Sequence, residues 1–284
     1  MCQDRVHQAV QGELSARMSS LREQIEDPAL TPYQRLVRLF QILRSPEGCA
    51  WDRKQTHESL LPYLIEETYE VIETVETKRY ADLREELGDV LTQVVFHAQI
   101  ASERGEFTLD NTVSDVVTKL VNRHPHVFGE KKELDPQQVR DQWERIKTES
   151  GEKESVLGGL PRTMPALTTA FRIGEKAGGA GFDWKNATDV VEKIDEEVAE
   201  LKAELRAQPM DRDRVADEIG DLLFAVASLA RKLQIEPETA LRKALEKFRT
   251  RFDKLEQTVR AEGKTFADFS LDELEAIWQR HKHA

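Results

Sequence analysis

Apolar residues recur along this chain with the period of a helix and not of a strand. In 60–75, Leu61, Leu64, Ile65, Thr68, Val71, Ile72 and Val75 fall on one stripe. In 83–100, Leu87, Val90, Leu91, Val94, Val95 and Ala98 do the same, and the pattern returns in 190–205, 214–233 and 238–260. No run of alternating β-branched residues bounded by tight turns is present. The pattern therefore predicts an all-α chain. Ser45-Pro46-Glu47-Gly48 ends an early helix, and Gly105, Pro125 and Gly129 punctuate the middle. The polar stretch 149–155, followed by Gly158-Gly159-Leu160-Pro161, reads as an interdomain linker. Residues 176–181, Lys-Ala-Gly-Gly-Ala-Gly, read as a second flexible loop. They lack the Gly-Lys-Ser/Thr ending of a phosphate-cradling P-loop, and no strand precedes them.

The chain also repeats itself. Gly48-Cys49-Ala50-Trp51, Ile65-Glu66-Glu67-Thr68-Tyr69-Glu70 and Glu86-Leu87-Gly88-Asp89-Val90-Leu91 form one series. Gly181-Phe182-Asp183-Trp184, Asp195-Glu196-Glu197-Val198-Ala199-Glu200 and Glu218-Ile219-Gly220-Asp221-Leu222-Leu223 form the second. Beyond these, Lys119 and Arg123 match Lys247 and Arg251 in a Lys-x-x-x-Arg spacing. Two tandem modules follow, at 31–147 and 166–284, joined by a linker at 148–165. Residues 1–30 have no counterpart and read as an amphipathic helical extension.

Composition narrows the function. The chain has 284 residues, 33% of them charged and 39% hydrophobic, with a net charge of −12. Heavily charged outer helix faces suit those figures. A sequence-independent nucleic-acid binder needs a strong basic surface, which this balance does not supply, so no nucleic-acid partner is expected. The two cysteines make neither a disulfide framework nor a zinc site. No stretch is apolar enough to span a bilayer, and Met1-Cys2-Gln3-Asp4-Arg5 lacks a signal-peptide layout. The expected setting is the cytoplasm, with no membrane partner.

The acids carry the candidate chemistry. Glu67 and Glu70 are three apart and share a helix face, as do Glu86 and Asp89 on the following helix. If the two helices pack antiparallel, four carboxylates converge. Four acids at fixed positions arise by chance in about one window per thousand at this composition, so one set alone reads as a solvated face. Glu197, Glu200, Glu218 and Asp221 repeat the set, each second pair has a Gly before its Asp, and each Glu pair adjoins an apolar stripe. Carboxylates at the edge of a core are costly unless paired or metal-bound. Hard divalent cations take oxygen ligands, and a polyanionic substrate meets four carboxylates only through bridging cations. The pattern points to Mg²⁺, more than one ion per site, and phosphoryl chemistry. Carboxylate-bridged di-iron centres need Glu-x-x-His pairs, which are absent. Arg84-Glu85-Glu86-Leu87-Gly88 lacks the rest of a Nudix box, and no His-Asp dipeptide occurs.

With these motifs the chain resembles the MazG family, tandem-domain members of the all-α nucleoside triphosphate pyrophosphohydrolases, over roughly residues 31–284. Supporting stretches are Gln55-Thr56-His57-Glu58-Ser59-Leu60, Pro62-Tyr63-Leu64 running into Ile65-Glu66-Glu67, Arg123-His124-Pro125-His126-Val127-Phe128-Gly129, and Lys247-Phe248-x-x-Arg251-Phe252. The resemblance implies hydrolysis of NTPs and dNTPs, ATP among them, between the α and β phosphates. It implies Mg²⁺, with Mn²⁺ as a substitute, broad base tolerance and a house-cleaning role. It also implies a homodimer in which the two helical modules contribute to four-helix-bundle-type packing. Carried over by position, Glu197, Glu200, Glu218 and Asp221 hold metal in the second module, and Glu67, Glu70, Glu86 and Asp89 in the first. Glu196 and Glu66 are candidates to orient the attacking water. Lys193, Lys247, Arg251, Trp278 and Lys282, with Lys119 and Arg123, are candidates to bind substrate; as a plain alternative, Trp278 is core. His124 and His126 read as capping, packing or phosphate contacts. Ala50 departs from the family's Pro, which implies a local loop effect only. Two rivals stay open: a helical dimer that binds Mg²⁺-nucleotide without turnover, and a scaffold with solvent-facing acids.

Overall fold

The computed structural model describes residues 21–129, 132–149 and 155–282. Residues 1–20, most of the expected N-terminal extension, and residues 150–154 of the expected linker lie outside them. The described residues form eleven α-helices and two 3₁₀ turns, with no strand. They divide into two compact units, residues 1–131 and 132–284.

The first unit comprises α1 (Pro32–Arg44), a 3₁₀ turn (Asp52–Lys54), α2 (His57–Glu76), α3 (Leu83–Glu103), α4 (Leu109–Arg123) and the short α5 (Pro125–Phe128). Its helices start where side chains can satisfy the first free N–H groups. Thr31, Thr56 and Thr108 each form a reciprocal capping box, with Gln34, Ser59 and Asn111. Phe40, Leu60, Val95, Phe96, Ala98, Ile100 and Leu109 make the core, with the Phe40 and Phe96 rings 5.1 Å apart. α2 and α3 form an antiparallel hairpin: His57 at the start of α2 meets His97 late in α3, Nδ1 to Nδ1 at 2.8 Å. One imidazole must donate and the other accept, and burial together with His57 holds His97 below its usual pKa.

A buried arginine fixes the loop that feeds α2. Arg44, at the end of α1, makes a two-pronged pair with Glu103 of α3 (both contacts 2.8 Å) and donates to the carbonyls of Asp52 and Gln55. Burial raises the Glu103 pKa, and the Arg44 and Gln99 hydrogen bonds more than offset it, leaving it lowered.

The second unit comprises α6 (Pro136–Glu149), α7 (Ala166–Gly179), α8 (Ala187–Arg206), α9 (Arg212–Lys232), α10 (Pro237–Ala261), a 3₁₀ turn (Phe266–Asp268) and α11 (Leu271–Lys282). α6 packs on α7. Residues 136–147, which the sequence groups with the first module, thus lie on the second unit's side. Residues 176–179 are the last turn of α7 and not a free loop. The Lys176 ammonium donates to the Gly158 carbonyl at 2.9 Å, and Gly181, at φ +89°, turns the chain afterwards. A Cβ on Gly178 would sit 3.1 Å from the Asp183 carboxylate, whereas one on Gly179 would meet nothing within 4 Å. α8 and α9 form the second antiparallel hairpin, closed near its turn by Arg214–Glu204 at 2.6 Å. At its open end, Asp183 takes Arg231 on both oxygens (2.5 and 3.1 Å) and Lys232 at 2.7 Å. Arg231 threads past Gly174, where a Cβ would come within 2.5 Å of its Nε.

Among the described residues, both hairpins leave much of their apolar stripe exposed. Leu61 and Ile65 are 50% and 56% exposed, Leu87 and Leu91 52% and 49%. Ile219, Leu223, Phe224 and Val226 on α9 are similarly open. Exposed apolar rows of this length mark surfaces that another element covers.

Candidate functional site: two carboxylate clusters

The antiparallel hairpins do what the three-residue spacings require. In the first unit Glu67 and Glu70 project from α2 toward Glu86 on α3, and one oxygen from each lies within 4.8 Å of the others. In the second, Glu197 and Glu200 of α8 meet Glu218 of α9 within the same limit. Asp89 and Asp221 stand one turn further along α3 and α9, outside that tight trio. They still act on it electrostatically, Asp89 on Glu67 and Glu86, and Asp221 on Glu218.

The charge state reflects the crowding. Burial, then Asp89, Glu70 and Glu66, push the Glu67 pKa up. Burial followed by Glu70, Glu85 and Asp89 raises that of Glu86, against a smaller opposing pull from Arg79. Glu218 is raised by burial, then by Glu200, Glu197 and Asp221. Like charges brought together at a partly desolvated surface hold protons unless a cation arrives. Three mutually repelling carboxylate oxygens within 4.8 Å of one another have the spacing and hardness of a divalent-cation site.

The two clusters differ at one position. Four residues before Glu197 stands Lys193, whose ammonium is 2.8 Å from both Glu196 and Glu197. Those two hydrogen bonds hold its pKa above the ordinary lysine value. Four residues before Glu67 stands Tyr63, its ring edge-on to Trp51 at 5.8 Å. Glu197 is buried, whereas Glu67 is half-buried, and Glu66, Glu70, Glu196 and Glu200 are exposed.

Lys247 and Arg251 lie one turn apart on α10, exposed and half-buried, and Lys119 and Arg123 likewise on α4. Trp278 on α11 packs against Phe248, ring centroids 4.9 Å apart, beside the Leu255, Val259 and Ile277 cluster. Among the described residues no hydrogen bond or ion pair joins Lys247, Arg251, Trp278 or Lys282 to the acids. His124 caps α4, and its Nδ1 lies 2.6 Å from the Leu120 carbonyl. A cavity of about 510 Å³ in the first unit, lined by Tyr33, Arg38 and Asp110 among others, contains none of the clustered acids.

Sequence reasoning missed two features. Trp143 and Lys147 on α6 repeat the spacing of Trp278 and Lys282 on α11, a signal plain in the sequence once the helices are aligned. The Asp183–Arg231–Lys232 brace left no motif to find.

Comparison with known proteins decides the relationship. A model of the MazG nucleotide pyrophosphohydrolase domain matches twice, at residues 55–128 and 185–255. The chain belongs to the MazG family. A Thermotoga maritima protein named nucleoside triphosphate pyrophosphohydrolase/pyrophosphatase MazG is 48% identical over 252 residues, 88% of this chain and 95% of that one. An Escherichia coli K12 protein named nucleoside triphosphate pyrophosphohydrolase is 42% identical over 252 residues, covering 87% and 96%. A Mycobacterium tuberculosis protein of the same name is 36% identical over 183 residues, 63% of this chain and 54% of its own. Each of the two MazG domain matches spans one carboxylate cluster and its Lys-x-x-x-Arg pair. No helix among the described residues is long and apolar enough to cross a membrane.

Proposed function

We propose that this chain hydrolyses nucleoside triphosphates between the α and β phosphates, releasing a nucleoside monophosphate and pyrophosphate. The carboxylate trio found twice, each with an Asp one turn away, carries the reading. Glu197, Glu200, Glu218 and Asp221 would hold Mg²⁺ in the second module, and Glu67, Glu70, Glu86 and Asp89 in the first. Mn²⁺ is the alternative ion, and more than one ion serves each substrate. Bound there, the metal would neutralise phosphate charge and make the attacking water more acidic.

The chain's own residues do the rest. A water oxygen bonds to the α phosphorus as the bond to the α–β bridging oxygen breaks. The water's proton passes to a carboxylate, Glu196 or Glu66, and pyrophosphate departs. Lys193, Lys247 and Arg251, with Lys119 and Arg123, hold phosphate oxygens. Trp278, with Lys282 nearby, borders the nucleotide, although Phe248 already takes part of its ring. The exposed apolar rows on α2, α3 and α9 favour a homodimer that covers them. An acidic, cytoplasmic enzyme with broad base tolerance and a house-cleaning role completes the proposal. It acts on no nucleic acid.

Product analysis tests it, with the four NTPs and the dNTPs, with and without Mg²⁺. The comparison is wild type against Glu67→Gln/Glu70→Gln and Glu197→Gln/Glu200→Gln. Monophosphate and pyrophosphate, lost without Mg²⁺ and lost in at least one double variant, are expected. Diphosphate and orthophosphate would overturn the cleavage position. Tight Mg²⁺-nucleotide binding with no turnover would favour the sensor reading instead.

A further inference from the structure

Lys193 gives the second cluster a cation in direct contact with its glutamates. Its ammonium is 2.8 Å from Glu197, a metal-ligand candidate, and 2.8 Å from Glu196, the candidate to orient water. Glu197 is only 6% exposed in its side chain, so the carboxylate needs a partner, and Lys193 is the partner it has. The first cluster has no equivalent. Tyr63 occupies the matching position and turns its ring to Trp51. Arg79 acts on Glu86 at a distance, and its own partners are Asp82 at 3.0 Å and Glu73 at 3.8 Å.

We propose that Lys193 is a resident counter-ion of the second site, which metal must displace before the site works. Displacement then does two things at once. It frees Glu197 to ligate and Glu196 to accept a proton. It also releases an ammonium on a flexible four-carbon stem, one helical turn from the metal, to meet the phosphates. Bridging metal couples triphosphate to the carboxylates in both modules, and in the second the released ammonium adds a further coupling that the first lacks. Lys193 acts as a positioning residue that sets the order of binding. This inference rests on the metal reading given under the proposed function.

The test uses the full chain and Mn²⁺, followed by the loss of the free-ion paramagnetic resonance signal without nucleotide. The Glu67→Gln/Glu70→Gln background reports the second site alone, and the Glu197→Gln/Glu200→Gln background the first. The second site of the otherwise unaltered chain is expected to bind Mn²⁺ more weakly than the first. Lys193→Met should tighten it by about tenfold, the effect of removing one competing charge within contact distance, while Lys193→Arg leaves it weak. Tyr63→Lys should weaken the first site, an independent arm if Lys193→Met melts at a lower temperature. On the Mn²⁺-loaded protein, Lys193→Met should weaken a non-hydrolysable triphosphate analogue. A merely structural lysine would move metal and nucleotide in the same direction. Equal or weaker Mn²⁺ binding in Lys193→Met, together with an unchanged first site in Tyr63→Lys, overturns the inference. No Mn²⁺ uptake by any version at millimolar ion overturns the metal reading beneath it.

Discussion

The brace at the open end of the second hairpin makes a quantitative forecast. Asp183 is 25% exposed and takes three charge-assisted hydrogen bonds, from Arg231 and from Lys232. Burial opposes its charge, but the two cations outweigh burial and bring its pKa from 3.8 down to about 2. A carboxylate whose folded pKa is depressed contributes stability that is fully present above the unfolded value. That contribution is lost as pH falls toward the folded one. A difference near two units is worth about 2 kcal/mol at pH 7, and about half of it is gone by pH 3. Asp183→Asn keeps the shape and removes the charge. It also leaves Arg231, 9% exposed, without its counter-ion, which adds to the loss. Urea unfolding at pH 7 should therefore show the second unit destabilised by about 2 to 4 kcal/mol. The gap between wild type and variant should narrow markedly at pH 3. A loss under about 0.5 kcal/mol at pH 7, in the range of an ordinary surface substitution, would refute the reasoning. So would a gap that does not change with pH.

Arg44→Met removes the corresponding brace of the first unit, a 7% exposed guanidinium with a carboxylate and two carbonyl acceptors. A cost of about 3 kcal/mol to that unit is expected, with faster amide exchange across 52–55, read by hydrogen-exchange mass spectrometry. Because Glu67, Glu86 and Glu218 have raised pKa values, they keep their protons to higher pH than an ordinary glutamate. Mg²⁺ binding in that pH range should release protons, and affinity should fall as pH drops through the raised values. Calorimetry in two buffers of different ionisation enthalpy measures this, and an identical heat in both would count against it. Ile65→Glu places a charge on the 56% exposed apolar row of α2 and should shift sedimentation from dimer to monomer. A wild-type chain that already sediments as a monomer would remove the assembly from the proposal.

Helix identity was legible because the apolar stripes are long. The segments read at 60–75, 83–100, 190–205, 214–233 and 238–260 match α2, α3, α8, α9 and α10 to within three residues at each end. The convergence of Glu67, Glu70 and Glu86, and of their counterparts, followed from the three-residue spacing once the hairpins proved antiparallel. The Gly-rich stretch 176–181 misled because glycine marks both loops and helix ends. Here residues 176–179 close α7, and the turn with positive φ comes only at Gly181. The stripes also do not say what covers them. Leu91 and Val95 share one stripe of α3, yet Val95 is buried while half the surface of Leu91 stays open.

The braces explain why a repeat can keep its geometry while its motifs drift. In the first unit the cation sits before the loop and the acid on the late turns of the second hairpin helix, as Arg44 and Glu103. In the second unit the polarity is reversed, with the acid in the loop and two cations on the late helix, as Asp183 with Arg231 and Lys232. Either way, the loop entering the glutamate helix is tied to the far end of the helix bearing the Asp. That tie joins the two helices of each hairpin at the end away from their turn. Such a tie requires a strong pair at that point, not a particular residue at either end. The carboxylate spacing is fixed by what a cation needs and so recurs in the sequence. The brace is fixed only by complementarity and does not. The same freedom allows Tyr63 in one module and Lys193 in the other, so two clusters of equal geometry are given unequal charge.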